Sequence, residues 1–280
     1  MTRSDPSPTT ALDPTRFSVV DDTADPDFYV RFMEHVLRTP DIVTGRMLST
    51  AMLQLRAGHR VLDVGCGPAL DAADLAARIG ARGELVGVDA SAAMIAAARR
   101  RGDELDTPTR FEIGSAYNLP FQDASFDASR AERVFMHLDQ PERALHEMRR
   151  VTRTGGRVCV VDYDFQSFLI DHPDPSTTET LVRGFADDLA DGGVGRKLRR
   201  MFINAGFPDP EITLHPVRFN HEFNELLFAG YLSRLQADGR LRPDQVQTWW
   251  DQLQTTVDDQ TYFVAVTSVI AAATVSAGIR

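Results

Sequence analysis

Cysteine is scarce in this sequence: only Cys66 and Cys159 occur in 280 residues. That excludes a disulfide framework and leaves no metal-ligand spacing, so no metal is expected and a reducing, cytoplasmic compartment is. Basic residues are also short, with 30 Lys plus Arg against 40 Asp plus Glu and a net charge of −10. Such a chain repels a phosphate backbone, which argues against generic nucleic-acid binding. No apolar run is long enough to span a bilayer: FVAVTSVIAAATVSAG, from Phe263, is short and broken by Thr and Ser, and reads as a buried strand with no membrane role. The opening MTRSDPSPTTALDPTRF has no apolar h-region, so a disordered tail over 1–16 is expected and not a signal peptide. Neither an internal repeat nor a dividing linker is present, which makes 17–280 one domain.

What is present is an alternation. Apolar residues at helical spacing run from Phe28 to Leu55 and predict two helices parted near Thr39-Pro40, a helical cap over 17–58. Strands are then expected at Arg60–Val64 and Glu84–Val88, with helices at Leu70–Ile79 and Ser91–Arg101 between and after them. Further strands follow near Thr109–Ile113, Ser125–Ala131 and Arg157–Phe165, and helices at Pro141–Val151 and Gly195–Ala205. The segment EITLHPVRF reads as a strand, two helical patterns over 221–258 form an insertion, and a last strand lies near Tyr262. Strands alternating with helices mean βαβ units and a doubly wound, mostly parallel α/β sheet.

The first strand runs into VLDVGCGPAL (61–70). Gly65 and Gly67 let the backbone turn tightly and approach a ligand, but Leu70 stands where a dinucleotide loop has its third glycine, and Asp63 brings an anion. A pyrophosphate is disfavoured there. Asp89 ends the second strand 24 residues after Gly65, where a carboxylate can hold both hydroxyls of a ribose. A ligand with a ribose, an ammonium, a sulfonium and no phosphate suits this combination, and S-adenosylmethionine is such a ligand.

These residues resemble the class I S-adenosylmethionine-dependent methyltransferases, in particular the small-molecule group that includes the ubiquinone and menaquinone methyltransferases. VLDVGCGPA resembles the family's first motif, GVDAS (87–91) its ribose-binding turn, GSAYNLPFQDASFD (114–127) its adenine-contacting segment and fourth strand, and RVTRTGG (150–156) the turn before the fifth strand. The resemblance spans about Arg60 to Val161. It implies a Rossmann-like seven-stranded sheet whose last strand is antiparallel to the rest. It also implies that Asp63 and the Gly65-Cys66-Gly67 turn meet the methionine part, Asp89 the ribose, Ala90 and Met94 the edge of the adenine, and Ser115 and Ala116 its amino side. Ser115 stands where the family usually has Asp, and Thr154 where it usually has Pro.

Methyl transfer asks the protein to position a nucleophile and, where needed, to remove its proton. In AERVFMHLDQP, beyond the fourth strand, His137 is the candidate base and Arg133 a cofactor contact; four residues apart, they would share one face of a helical turn. Asp162 and Tyr163 close the fifth strand at the same rim and are candidates for the acceptor pocket. Phe28 and Phe32 in the first helix exceed what one buried stripe needs and would cover the acceptor, with Tyr29 near the methionine end of the cofactor. Arg99–Arg101, Arg149–Arg153 and Arg196–Arg200 read as solvated helix faces. The expected activity is methylation of an O, N or C nucleophile on a small, apolar metabolite. A cofactor-binding enzyme of the same fold that catalyses a non-methylating rearrangement or cyclisation is the alternative, and association into a homo-oligomer stays open.

Overall fold

The computed structural model describes residues 14–277 apart from 24 and 38. Of the tail expected over 1–16, residues 1–13 lie outside the described residues, and Pro14–Asp22 forms a 3-10 helix. Two helices follow, α1 (Pro26–Val36) and α2 (Pro40–Met52), each starting at a proline that fixes φ for the first turn. The alternating part comprises β1 (Arg60–Val64), α3 (Ala72–Ile79), β2 (Glu84–Asp89), α4 (Ala92–Gly102), β3 (Thr109–Ile113) and β4 (Phe126–Glu132). It continues through α5 (Pro141–Val151), β5 (Thr152–Ile170), α6 (Pro175–Asp187), α7 (Val194–Asn204) and β6 (Glu211–Arg218). The insertion α8 (His221–Ala237) and α9 (Pro243–Asp258) precedes the final β7 (Val264–Thr274).

The seven strands form one sheet in the order β3-β2-β1-β4-β5-β7-β6. The first five pair in parallel, and β7 runs antiparallel to both of its neighbours. The expected mixed Rossmann-like sheet with its reversed last strand is therefore present. Alternate residues of the central strands supply two cores: Leu62 and Val160 point into one with α5 and α7, while Val61 and Cys159 point into the other with α3 and α4. Burial on both faces explains why these strands read as near-continuous apolar runs.

Two elements exceed the sequence reading. β5 extends to Ile170 because β7 pairs with it as far as Val264, past an irregularity between Asp164 and Leu169. α6 forms in PSTTETLVRGFAD, a segment rich in Thr with a Gly, where periodicity is weak. It is held by its tertiary setting, with Leu181 and Phe185 buried and Asp174 capping the N-terminus through Thr177 N.

At the sheet's middle, Gly87 is a place where backbone and ring approach closely: a Cβ there would lie 2.5 Å from Phe111 and 2.8 Å from Cys66 Sγ. Gly87→Ala is expected to cost about 1–3 kcal/mol through overpacking, read as a lowered urea midpoint at unchanged slope.

Candidate functional site

A cavity of about 390 Å³ opens at the carboxyl ends of the central strands, where the strand order reverses between β1 and β4. Its polar end is built by the glycine turn. Gly65 has φ +67, and a Cβ on it would fall 2.4 Å from Val134, so glycine is required both for the conformation and for the space. The amides of Gly65 and Cys66 both donate to Val88 O, at 2.7 and 3.1 Å, which pins the turn to β2. Asp89 completes the cradle: Oδ2 accepts from Gly67 N and Oδ1 from Ser91 N, each at 2.9 Å. Burial raises its pKa from the ordinary value against these hydrogen bonds.

Several expected residues line this cavity together, although they come from four separate elements and turns: Gly65, Gly67, Asp89, Ala90, Met94, Ser115 and Ala116. Ser115 Oγ accepts from Tyr117 N at 3.2 Å, so the hydroxyl serves its own turn. Arg133, His137, Phe32 and Tyr163 also line the cavity. Arg133 and His137 are not on a regular helix as expected. Arg133 has φ +58, an uncommon conformation for a side-chain-bearing residue, and Phe135–His137 is a short 3-10 turn. Burial and then the charge of Arg133 push the His137 imidazole down to about 4, so it is neutral at ordinary pH. Burial pushes the Tyr163 hydroxyl up to about 12.

Five expected residues do not line the main cavity. Asp162 is 1% exposed and its Oδ2 accepts from Phe135 N at 2.9 Å, so it holds the turn that carries His137. Tyr29 is fully buried among Val20, Val30, Met94 and Ala97, and Phe28 packs against that cluster, because this side of α1 faces α4. Cys66 turns its thiol under β2, and burial raises its pKa well above the ordinary value. Asp63 is drawn into an ion network beneath the turn.

That network was not legible in the sequence. Arg130, on β4 and almost fully buried, meets Asp71, Glu132 and, at 3.5 Å, Asp63. Arg46 of α2 donates to Glu132 at 2.9 Å, and Arg133 Nε lies 3.6 Å from the same carboxylate with no hydrogen-bond partner. Burial would raise Asp71, but Arg130 and Arg46 hold it at about 2. Asp63 is farther from the guanidinium, and burial lifts it to about 7. A second cavity of about 20 Å³, room for one water, lies among these groups. The one available signal was the pair of opposite charges in ASRAE, inside a strand that otherwise reads as buried. Nor do the basic runs form free solvated faces throughout: Arg101 pairs with Glu34 and donates to Pro68 O, and Arg196 pairs with Asp164.

Among the described residues no cluster of acidic, His or Cys side chains could hold a metal, and no helix is long and apolar enough to cross a membrane.

Residues 62–160 match the family described as a methyltransferase domain. The chain is 35% identical over 184 residues to the 37.1 kDa protein of transposon TN4556 from Streptomyces fradiae, covering 65% of this chain and 53% of that one. It is 33% identical over 118 residues to the demethylmenaquinone methyltransferase of Paenarthrobacter aurescens, covering 42% and 44%. The YcgJ protein from Bacillus subtilis shares the fold with a TM-score of 0.58 at 19% identity, over 82% of this chain and 97% of that one. The chain spans about half the length of the curated relatives it matches.

Asp63 and Asp162, both lifted by burial to about 7, bind protons in the folded state that the unfolded chain releases near pH 4. Their contribution to stability is complete below about pH 4 and is lost as pH rises through about 7. Asp162→Asn keeps an acceptor for Phe135 N and removes one of the two protons. The fall in unfolding free energy between those pH values is expected to be shallower than in the wild type by on the order of 1.4 kcal/mol per pH unit, measured by urea titration at each pH.

Proposed function

We propose that this chain, whose residues 62–160 match the methyltransferase domain family, binds S-adenosylmethionine and transfers its methyl group to an O, N or C atom of a small apolar metabolite. The observation that carries this reading is one cavity whose lining joins the glycine turn and Asp89 to His137, Tyr163 and the apolar side chains of Phe165, Phe185 and Phe223. The residues present fit the cofactor. A Cβ on Gly67 would meet nothing nearer than Met33 Cε at 4.0 Å, so the turn presents open space, and Asp89 keeps free lone pairs for ribose hydroxyls. Arg133 Nε is a buried donor awaiting an acceptor.

In this reading Asp89 holds the ribose, while Ala90, Met94, Ser115 and Ala116 flank the adenine. Gly65, Gly67 and Arg133 meet the amino-acid end. Asp63 and Cys66 act from below, through the ion network and the packing of the turn, and Tyr29 supports the cavity by burying α1 against α4. When bound, the cofactor supplies a methyl group already activated by its sulfonium. The chain's own task is then orientation, exclusion of water and, for a hydroxyl acceptor, reception of one proton by the neutral His137 imidazole. Phe32 and Tyr163 border the acceptor; Phe28 braces Phe32, with ring centroids 6.2 Å apart, and Asp162 fixes the turn beneath His137. Residues 17–280 act as one domain, in which the cap 17–58 and the insertion 221–258 roof the acceptor.

Asp89→Ala is expected to weaken S-adenosylmethionine binding by about 1–3 kcal/mol in calorimetry, with a folded far-ultraviolet spectrum. Unchanged affinity in the folded variant counts against the assignment. His137→Gln is expected to lower kcat by about a hundredfold or more with cofactor affinity retained. Because the imidazole titrates at about 4, kcat/KM of the wild type should show no histidine inflection near the usual value of about 6.5.

A further inference from the structure

The acceptor end of the cavity carries more information than its shape. Its far walls are Phe165 on β5, Phe185 and Leu189 at α6, Phe219 after β6, and Phe223 and Leu227 on α8. These come from four elements, and their rings meet as neighbours: Phe165 and Phe185 are 5.1 Å apart between centroids, Phe219 and Phe223 4.7 Å. Packing alone would let such side chains close on one another, yet they border open space. The charged groups lining the whole cavity, among the described residues, are three carboxylates, Asp89, Glu132 and Asp139, and one guanidinium, Arg133. Arg133 is on the polar side, beside Glu132, and also lines the small chamber under the glycine turn. His137 and Tyr163, both neutral, line the same cavity.

Building on the methyl-transfer reading, we infer that the space between β5, α6 and α8 is a subsite for a ring-bearing hydrocarbon acceptor that carries one neutral polar group and no anionic group. Acceptors carrying a phosphate or a carboxylate are excluded. The one guanidinium of the lining, Arg133, is paired with Glu132 on the polar side, and the lining has an excess of carboxylates, so an anion among the apolar walls loses its hydration without compensation. A ring, by contrast, meets the edges and faces of four phenylalanines and keeps a hydroxyl for His137 or Tyr163.

The test is a matched series on one skeleton: naphthol, naphthoate and naphthyl phosphate. Each is titrated into the full chain by calorimetry, with and without S-adenosylhomocysteine. Naphthol is expected to bind at least about tenfold more tightly than each anionic member. Equal or tighter binding by an anionic member overturns the inference. Leu227→Trp, which fills the subsite, should abolish naphthol binding and leave S-adenosylhomocysteine affinity unchanged; Leu189→Trp, just after α6, serves the same purpose if the first variant does not fold. Undiminished naphthol binding in a folded filled variant refutes the location. Absence of S-adenosylhomocysteine binding in the wild type would instead overturn the methyl-transfer reading, and the naphthol series without cofactor would still decide the subsite.

Discussion

The buried guanidinium of Arg130 holds the functional end of the sheet together. It stands in the central strand β4 and gathers carboxylates from three places: Asp63 on β1, Asp71 just before α3, and Glu132 two residues along its own strand. Removing one partner from such a cluster leaves an uncompensated charge in a low-dielectric interior, at a cost of about 3–5 kcal/mol, whereas the intact cluster adds little net stability. Its value is therefore positional. The glycine turn leaves β1 directly above it, and Asp71 fixes where that turn re-enters a helix.

Arg46 extends this constraint to the cap. By donating to Glu132 it ties α2 to the end of β4. The cap is fastened at other points as well: Asp21 accepts from Ser91 Oγ and from Ala92 N at the start of α4, and Arg218 pairs with Asp41 at the start of α2. Phe17 lies over the cavity with its ring 5.6 Å from His137 and 4.9 Å from Tyr29. The polar turn and the aromatic side of the cavity are thus joined by one connected set of ion pairs, hydrogen bonds and ring contacts.

The two ends of the cavity follow opposite physical rules. At the glycine turn, backbone amides and a carboxylate are fixed by hydrogen bonds, which suits a polar ligand whose groups must be met individually. At the other end aromatic and aliphatic walls provide area and few polar atoms, which suits a ligand recognised by shape and desolvation. His137 stands at the junction, kept neutral by burial and by Arg133.

Local regularities were readable from the chain alone. Strand and helix alternation, the left-handed glycine turn, and the acidic residue ending the second strand each depend on residues adjacent in sequence, and β1, β3 and α5 occupy the residues that their patterns predict. The sequence likewise brought Gly65, Gly67, Asp89, Ser115 and His137 forward as a set. What depended on distant partners was decided only by folding. Asp162 and Tyr163 are neighbours on β5, yet strand alternation turns one to the Phe135–His137 backbone and the other to the cavity. Tyr29 and Phe32 share α1, but its helical rotation sends the first against α4 and the second into the chamber. The Arg130 network and the Phe185–Phe223 walls join residues from distant segments. No local pattern marks such partners, because charge compensation and ring packing depend on proximity in space and not on spacing along the chain.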